Sequence, residues 1–512
     1  MSTAQVIPYA SRAVTPPPSP AKPYTAPSRE IWAWGVGALA CHLLIQTYAQ
    51  ANIIFTVGFG LSPVLISWCM MLPRAVDGVL DPVIGHLSDD THTRWGRRKP
   101  YLVAGAVLGA VFLAAVWWAN PGWSHTAQFA YLLTLGTLFY VCYGVYTMAW
   151  TSVGYELTDD YHERSKVAAV GGLFLAIVAL SASWMYWLAL RPVFGTALAD
   201  GTIKPNEIVG MRWISGVAAA VIVASALVAA YFCRERFAHT NRTHVAILPA
   251  LKTAVRNRPF VILLLIKVCQ TLGERAAGGL LTFLAIYYVC GGDKSLATKV
   301  LGIGGTIGTV WGLVFMPLMK PISRRVGKRG ALIGGAAISL VFAFVQPFIL
   351  IPGHPYLLLV PALIVVPLTT ISGTLANAIV PDICDVDELQ SGQRREGLFT
   401  AVMGFINKLE ISLCFLLVGY LLSWSGLDTK LAAQPPEVLS RLFWLCVLPN
   451  IAFTTGALVL TLLFPMTEAG MAEVRAELDA RRLTKAAAGV PTDEVAEEIV
   501  HEHPQVALQP GR

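Results

Sequence analysis

Charge is scarce in this 512-residue sequence: 13% of its residues are Asp, Glu, Lys or Arg, about half the share that keeps an ordinary soluble domain wet. With 55% of residues hydrophobic, that scarcity excludes a conventional soluble enzyme, a nucleic-acid binder and a disordered chain. Paired cysteine motifs are missing too. The nine cysteines form no CxxC pair and no metal-ligand spacing, so they read as small apolar residues and no metal site is expected. No apolar run precedes Pro27, and the Pro-, Ser- and Thr-rich start reads as a flexible arm, not a cleavable signal peptide. A nucleophile and base pair, a phosphate loop and a metal-ligand set are likewise absent from the pattern, so no catalysis is expected.

What the sequence has instead is long apolar runs. They fall at 31–57, 64–87, 101–119, 129–155, 167–190 and 214–232, then at 260–289, 300–319, 331–351, 356–378, 398–424 and 442–464. Each is near the roughly 20 residues that cross a bilayer. The expected organisation is a disordered arm at 1–30, a six-helix bundle at 31–232, a basic linker at 233–259, a second six-helix bundle at 260–465 and a tail at 466–512. Within the tail, the charge-rich run from Glu468 reads as a solvated helix. The net charge of +7 has a topological explanation. Arg94, Arg97, Arg98, Lys99, Arg324, Arg325, Lys328 and Arg329 share one side of the membrane with the linker, whereas the other side holds few cations, such as Arg191 and Lys294. By the positive-inside rule both termini are cytoplasmic.

The two halves echo each other. The loop Arg94-Trp95-Gly96-Arg97-Arg98-Lys99 recurs in the second half as Arg324-Arg325-Val326-Gly327-Lys328-Arg329. A parallel duplication of six helices with a basic linker is the layout of major facilitator transporters, whose substrate site lies at mid-membrane between the halves. The fold class expected is therefore an all-α polytopic membrane protein of about twelve transmembrane helices in two bundles.

Ionisable residues inside a span are costly enough to be functional candidates. Arg74, Asp77 and Asp81 lie at i, i+3 and i+7 of the second span, so the carboxylates sit one turn apart on one face. At about 1.5 Å per residue from the loop, Asp81 is roughly 12 Å deep and Asp77 roughly 18 Å. Two carboxylates this close in a low dielectric cannot both stay ionised unless a cation joins them, which is the physics of a proton or sodium site. Lys408 reaches a similar depth, roughly 18 Å, from the opposite half. His42, roughly 16 Å into the first span, is a further protonation candidate. Lys267, Glu274 and Arg275 mark the seventh span, and Asn407 and Glu410 flank Lys408.

These residues resemble the glycoside-pentoside-hexuronide:cation symporters, the melibiose permease group of the major facilitator superfamily. Three blocks carry the likeness: Asp77 to Pro82 continuing to Pro100, Tyr155 to Arg164, and Asp382-Ile-Cys-Asp385 through Arg395 and Glu396 to Lys408. The resemblance implies cation-coupled import of a sugar or related small polar solute by alternating access. Asp77, Asp81 and Arg74 would form the cation site, with Lys408 as partner. A cytoplasmic gate is expected at Arg97, Arg98, Glu156, Arg164, Asp382, Asp385 and Arg395, and substrate contacts at His42, Tyr146, Thr147, Trp150, Asn407 and Glu410. His42 stands where melibiose permeases carry an acidic sugar ligand, and Tyr146 or Thr147 where they carry another. The fifth-span Arg of those permeases is replaced by Gly172. Trp150 matches a tryptophan suited to stacking on a sugar. Leu80, in place of an Asn before the second Asp, offers no oxygen to Na⁺, so H⁺ is favoured. A lysolipid carrier and a non-transporting assembly factor on the same frame stay open as alternatives. The expected setting is a monomer in the bacterial inner membrane, with no cofactor beyond the coupling ion, no nucleic-acid partner, and the bilayer and a small molecule as partners.

Overall fold

The computed structural model describes residues 24–487 apart from 92, 159, 198–202, 236–246, 430 and 432. The expected arm through residue 23, the middle of the linker and the tail beyond 487 lie outside these residues. The first half consists of α1 (Ser28–Ala49) with a short continuation α2 (Ala51–Val57), then α3 (Pro63–Asp90), α4 (Lys99–Val116), α5 (His125–Tyr155), α6 (Tyr161–Ala189) and α7 (Glu207–Phe232). A two-residue strand pair, β1 (Thr196–Ala197) and β2 (Ile203–Lys204), precedes α7. After α8 (Ile247–Ala254), the second half runs α9 (Arg258–Leu284), α10 (Lys294–Phe315), α11 (Met319–Ile349), α12 (Val360–Ser391), α13 (Glu396–Ser425) and α14 (Pro436–Leu462), followed by α15 (Glu468–Ala487).

Hydropathy explains the helices and polar residues explain their ends. Eleven of the described helices are long and apolar enough to cross a membrane. α9 has the length, but Arg258, Lys267, Glu274 and Arg275 lower its hydropathy. Side chains of Ser124, Asn206, Asn257 and Asp293 accept from backbone N–H groups at the starts of α5, α7, α9 and α10, satisfying donors that the first helical turn leaves orphaned. Many large apolar side chains face outward, among them Val217, Val341 and Phe348, the last 77% exposed. In water such a surface drives aggregation; in a bilayer it is the wetted face.

The duplication extends beyond the sequence echo. Gly96 and Gly327 both adopt positive φ, +111° and +70°, a conformation that only glycine takes freely. Each has a carboxylate from the chain just past the last helix of its own half beside it. Glu235 follows α7 and Glu468 follows α14, and a Cβ on either glycine would come within 2.8 Å of that carboxylate. Arg98 at the start of α4 pairs with Glu156 at the end of α5, and Lys328 in α11 pairs with Asp382 in α12.

The halves meet along α3 with α13 and α6 with α10. Glycines bring the helices close: a Cβ on Gly419 would collide with Ser67, and one on Gly305 with Ser183. The end opposite the basic loops is tied by polar contacts between halves. Lys294 pairs with Glu207 at 3.1 Å, Trp184 Nε1 donates to Thr306 at 2.9 Å, and Thr429 donates to the Thr56 carbonyl at 3.0 Å. The tail helix is mostly solvent-exposed, as expected, but one of its faces is docked. α15 docks on α12, with Met471 and Leu478 buried, Arg475 on Asp382 at 2.8 Å and Arg482 on Glu388 at 3.7 Å. Its apolar residues recur at one face, and the charges that look solvated in one dimension find carboxylates on α12.

Candidate functional site

Three helices assemble the mid-depth site. On α3, Arg74 Nη1 donates to Asp77 Oδ2 at 3.1 Å, one helical turn away. The guanidinium is buried and lies 5.5 Å and 5.6 Å from the ring centres of Tyr140 and Tyr143 on α5, so the rings take over part of the solvation that water would supply. Asp77 is fully buried. Its other oxygen lies against Gly144 of α5, where a Cβ would come within 2.5 Å of Oδ1; glycine is what lets α5 pass so near the carboxylate.

From the other half, α13 supplies Lys408. Its ammonium lies 2.9 Å from Asp77 Oδ2 and 2.6 Å from Asp81 Oδ2. Arg74, Asp77, Asp81 and Lys408 therefore form one neutral four-charge cluster that crosses the interface between the halves. Asp77 Oδ1 and Asp81 Oδ1 are buried and accept no hydrogen bond among the described residues. Each carboxylate thus keeps one oxygen free for a proton or an ion.

The residues assigned to substrate are placed less uniformly. Tyr146 is fully buried and its hydroxyl donates to the Gly37 carbonyl at 2.7 Å. Thr147 lies against Cys41, 3.7 Å from oxygen to sulfur. Trp150 stacks on Trp34 with ring centres 4.7 Å apart, and each indole N–H donates to the other's backbone carbonyl at 3.0 Å. One face of the Trp150 ring is therefore already covered, while His42, half-buried, meets it edge-on at 6.2 Å. Asn407 and Glu410 turn away from Lys408 toward α9. Lys267 donates to Asn407 Oδ1 at 3.1 Å and lies 3.7 Å from the buried Glu410 carboxylate. Consecutive helical residues point in different directions, so Asn407 and Lys408 serve different neighbours.

The gate residues form two clusters at the basic end. Glu156 Oε1 accepts from Arg97 at 3.0 Å and from Arg98 at 2.5 Å, the Arg98–Glu156 pair being buried. Asp382 holds Lys328 at 2.6 Å and Arg475 at 2.8 Å. Asp385 lies 3.7 Å from Arg394 and 3.9 Å from Arg475. Arg395 is bidentate to Asp387, both distances 2.8 Å, and Arg164 is exposed.

Sequence reasoning missed Trp34, Lys328, Asp387, Arg475 and the Glu207–Lys294 pair. The loop echo could have pointed to Lys328, since it follows Gly327 as Arg97 follows Gly96 in the first half. Nothing local marks Trp34 or Glu207.

The family described as MFS/sugar transport protein matches residues 33–468. A glucuronide carrier protein homologue of Escherichia coli strain K12 is 24% identical, with 81% of this chain and 87% of that protein covered. An isoprimeverose transporter of Lactiplantibacillus pentosus is 25% identical, covering 85% and 88%. Among solved structures, a bacterial homologue of the human lysosomal transporter Spinster, inward-facing and unoccupied, superposes with a TM-score of 0.60 at 12% identity, covering 89% of this chain and 99% of that one. The last likeness is one of fold.

Proposed function

Because the chain belongs to the MFS/sugar transport protein family, we propose that it is a cation-coupled symporter that imports a glycoside or related small polar solute by alternating access. The observation that carries the reading is the Lys408 ammonium held between Asp77 and Asp81 across the two halves. The cluster is neutral as it stands. A cation arriving at the carboxylates makes it positive by one charge, a state that is unfavourable away from water unless Lys408 withdraws. Cation binding and separation of α3 from α13 are thereby the same event, and a rocking transporter needs that coupling.

The coupling ion proposed is H⁺. Each carboxylate has one unbonded oxygen, and the neighbouring Gly144 and Leu80 bring no side-chain oxygen, whereas Na⁺ requires a cage of several. The relatives named for a glucuronide and for isoprimeverose support a sugar as the substrate class. In this reading the protein is a monomer of the bacterial inner membrane with its basic end and both termini in the cytoplasm, and the polar contacts that tie the opposite end support a conformer on the inward side of the cycle.

The test is uptake into proteoliposomes under imposed pH or Na⁺ gradients across a panel of glycosides and lysophospholipids. Wild type should accumulate a glycoside when a pH gradient is applied, and Asp77→Asn should lose accumulation while still exchanging substrate at equal concentrations. Undiminished accumulation by Asp77→Asn rejects the coupling assignment. Accumulation of lysophospholipid alone transfers the reading to an amphiphile carrier.

A further inference from the structure

The outer wall of the bundle carries a groove at its basic end, between the start of α4 and the end of α7, with a volume of about 690 Å³. Arg94, Trp95, Lys99 and Val103 line one wall, and Leu227 and Tyr231 the other. The lining is graded along the helix axes. Two cations lie nearest the loop, with two exposed aromatic rings beside them, Trp95 and Tyr231, and the aliphatic Val103 and Leu227 lie one to two turns further into the spans. A bilayer shows the same gradation, charge and aromatic rings at headgroup level and hydrocarbon beneath.

Arg94 and Lys99 differ from the other cations of their loop. Arg97 and Arg98 are committed to Glu156. Among the described residues, the side chains of Arg94 and Lys99 have no ion-pair partner; Arg94 is exposed and Lys99 half-buried. The Glu235 carboxylate reaches this loop but is occupied by backbone: it accepts from the N–H groups of Arg97, Arg98 and Lys99 at 2.7, 2.9 and 3.0 Å. Those bonds tie the chain after α7 to the start of α4, so the two walls of the groove are held at a fixed separation.

We infer that this groove binds an anionic phospholipid, its phosphodiester between Arg94 and Lys99 and an acyl chain along Val103 and Leu227. Basic pockets between spans at the membrane surface suit anionic headgroups. A zwitterionic lipid would bring its own cation to two unneutralised ones and lose that attraction. A free anion would leave the aliphatic part of the groove unused. The inference rests on the chain's place in a bilayer and is independent of what it transports.

Native mass spectrometry of the detergent-solubilised full chain, titrated with phosphatidylglycerol, phosphatidylcholine or inorganic phosphate, tests it. Wild type should retain phosphatidylglycerol in preference to phosphatidylcholine. Each cation near the membrane surface strengthens anionic-lipid binding about fivefold, so Arg94→Ala with Lys99→Ala should weaken it roughly 30-fold. Arg94→Lys with Lys99→Arg should stay close to wild type, and Arg94→Ala alone should show the single fivefold step even if the double variant does not fold. Equal retention of phosphatidylcholine, or an unchanged affinity in the alanine variants, overturns the proposal. Displacement of bound lipid by an equal concentration of inorganic phosphate overturns it as well, by showing a site for a free anion.

Discussion

Replacing Lys408 with alanine removes a cation that joins the halves at mid-depth, and the size of the effect follows from its contacts. The ammonium lies 2.9 Å from Asp77 and 2.6 Å from Asp81, which at an effective dielectric of about 20 corresponds to a gross attraction of about 6 kcal/mol per contact. Desolvation of the three groups cancels much of this. Removing one partner of a buried pair costs about 3–5 kcal/mol net, chiefly because a charge is left stranded. Two features of the site favour the low end. Arg74 still holds Asp77, and the Lys408 side chain is 20% exposed and that of Asp81 27%, so water reaches part of the cluster. About 3 kcal/mol is a roughly 150-fold loss in the population of this conformer relative to one with α3 and α13 apart. Spin labels on α3 and α13, with distances measured by double electron–electron resonance in nanodiscs, read that population directly. Adding Asp81→Asn to Lys408→Ala should recover part of the loss, since the stranded charge is then gone, and the double-mutant cycle measures the coupling. A distance distribution within threefold of wild type in Lys408→Ala would refute the reasoning, because the bridge would then be present in both conformers or contribute to neither.

Two further predictions concern packing. Gly419→Ala places a methyl group against Ser67 and the Pro63 carbonyl, where α3 and α13 touch. Overpacking of this kind costs about 1–3 kcal/mol, so cross-linking between cysteines placed on α3 and α13 at that end should fall at least about fivefold, and an unchanged yield contradicts the close approach. Arg475→Ala should loosen α15 only slightly, since the arginine is 58% exposed and such pairs contribute up to about 1 kcal/mol. Leu478→Asp, which buries a charge beneath the helix, should free it, and limited proteolysis of the tail should rise far more in Leu478→Asp than in Arg475→Ala.

The degree to which the site was legible differs from residue to residue. The depths of Asp77, Asp81 and Lys408 follow from counting residues along spans, because an α-helix advances a fixed distance per residue. The structure brings these three together with Arg74. Counting says nothing of rotation about the helix axis, and there the reading of α13 divides: Lys408 faces α3, whereas its neighbours Asn407 and Glu410 face Lys267. For Trp150, sequence position marks an aromatic ring near mid-membrane, but the stacking partner is Trp34, more than a hundred residues earlier. For the tail, the run of mixed charge reads as solvated until α12 offers Asp382 and Glu388 opposite Arg475 and Arg482.

By itself, then, the sequence determined which segments lie in the membrane, which loops share a side, and which charges are forced into low dielectric. These are one-dimensional properties, set by transfer of each residue from water and by a constant rise per residue. Tertiary structure alone decided which charge neutralises which. It set Lys408 between two carboxylates of the other half, spent Glu235 on the backbone of the α4 loop, and left Arg94 and Lys99 facing an open groove. Partner choice depends on how helices distant in sequence rotate and approach, and at Gly144 and Gly419 that approach turns on the absence of a single methyl group.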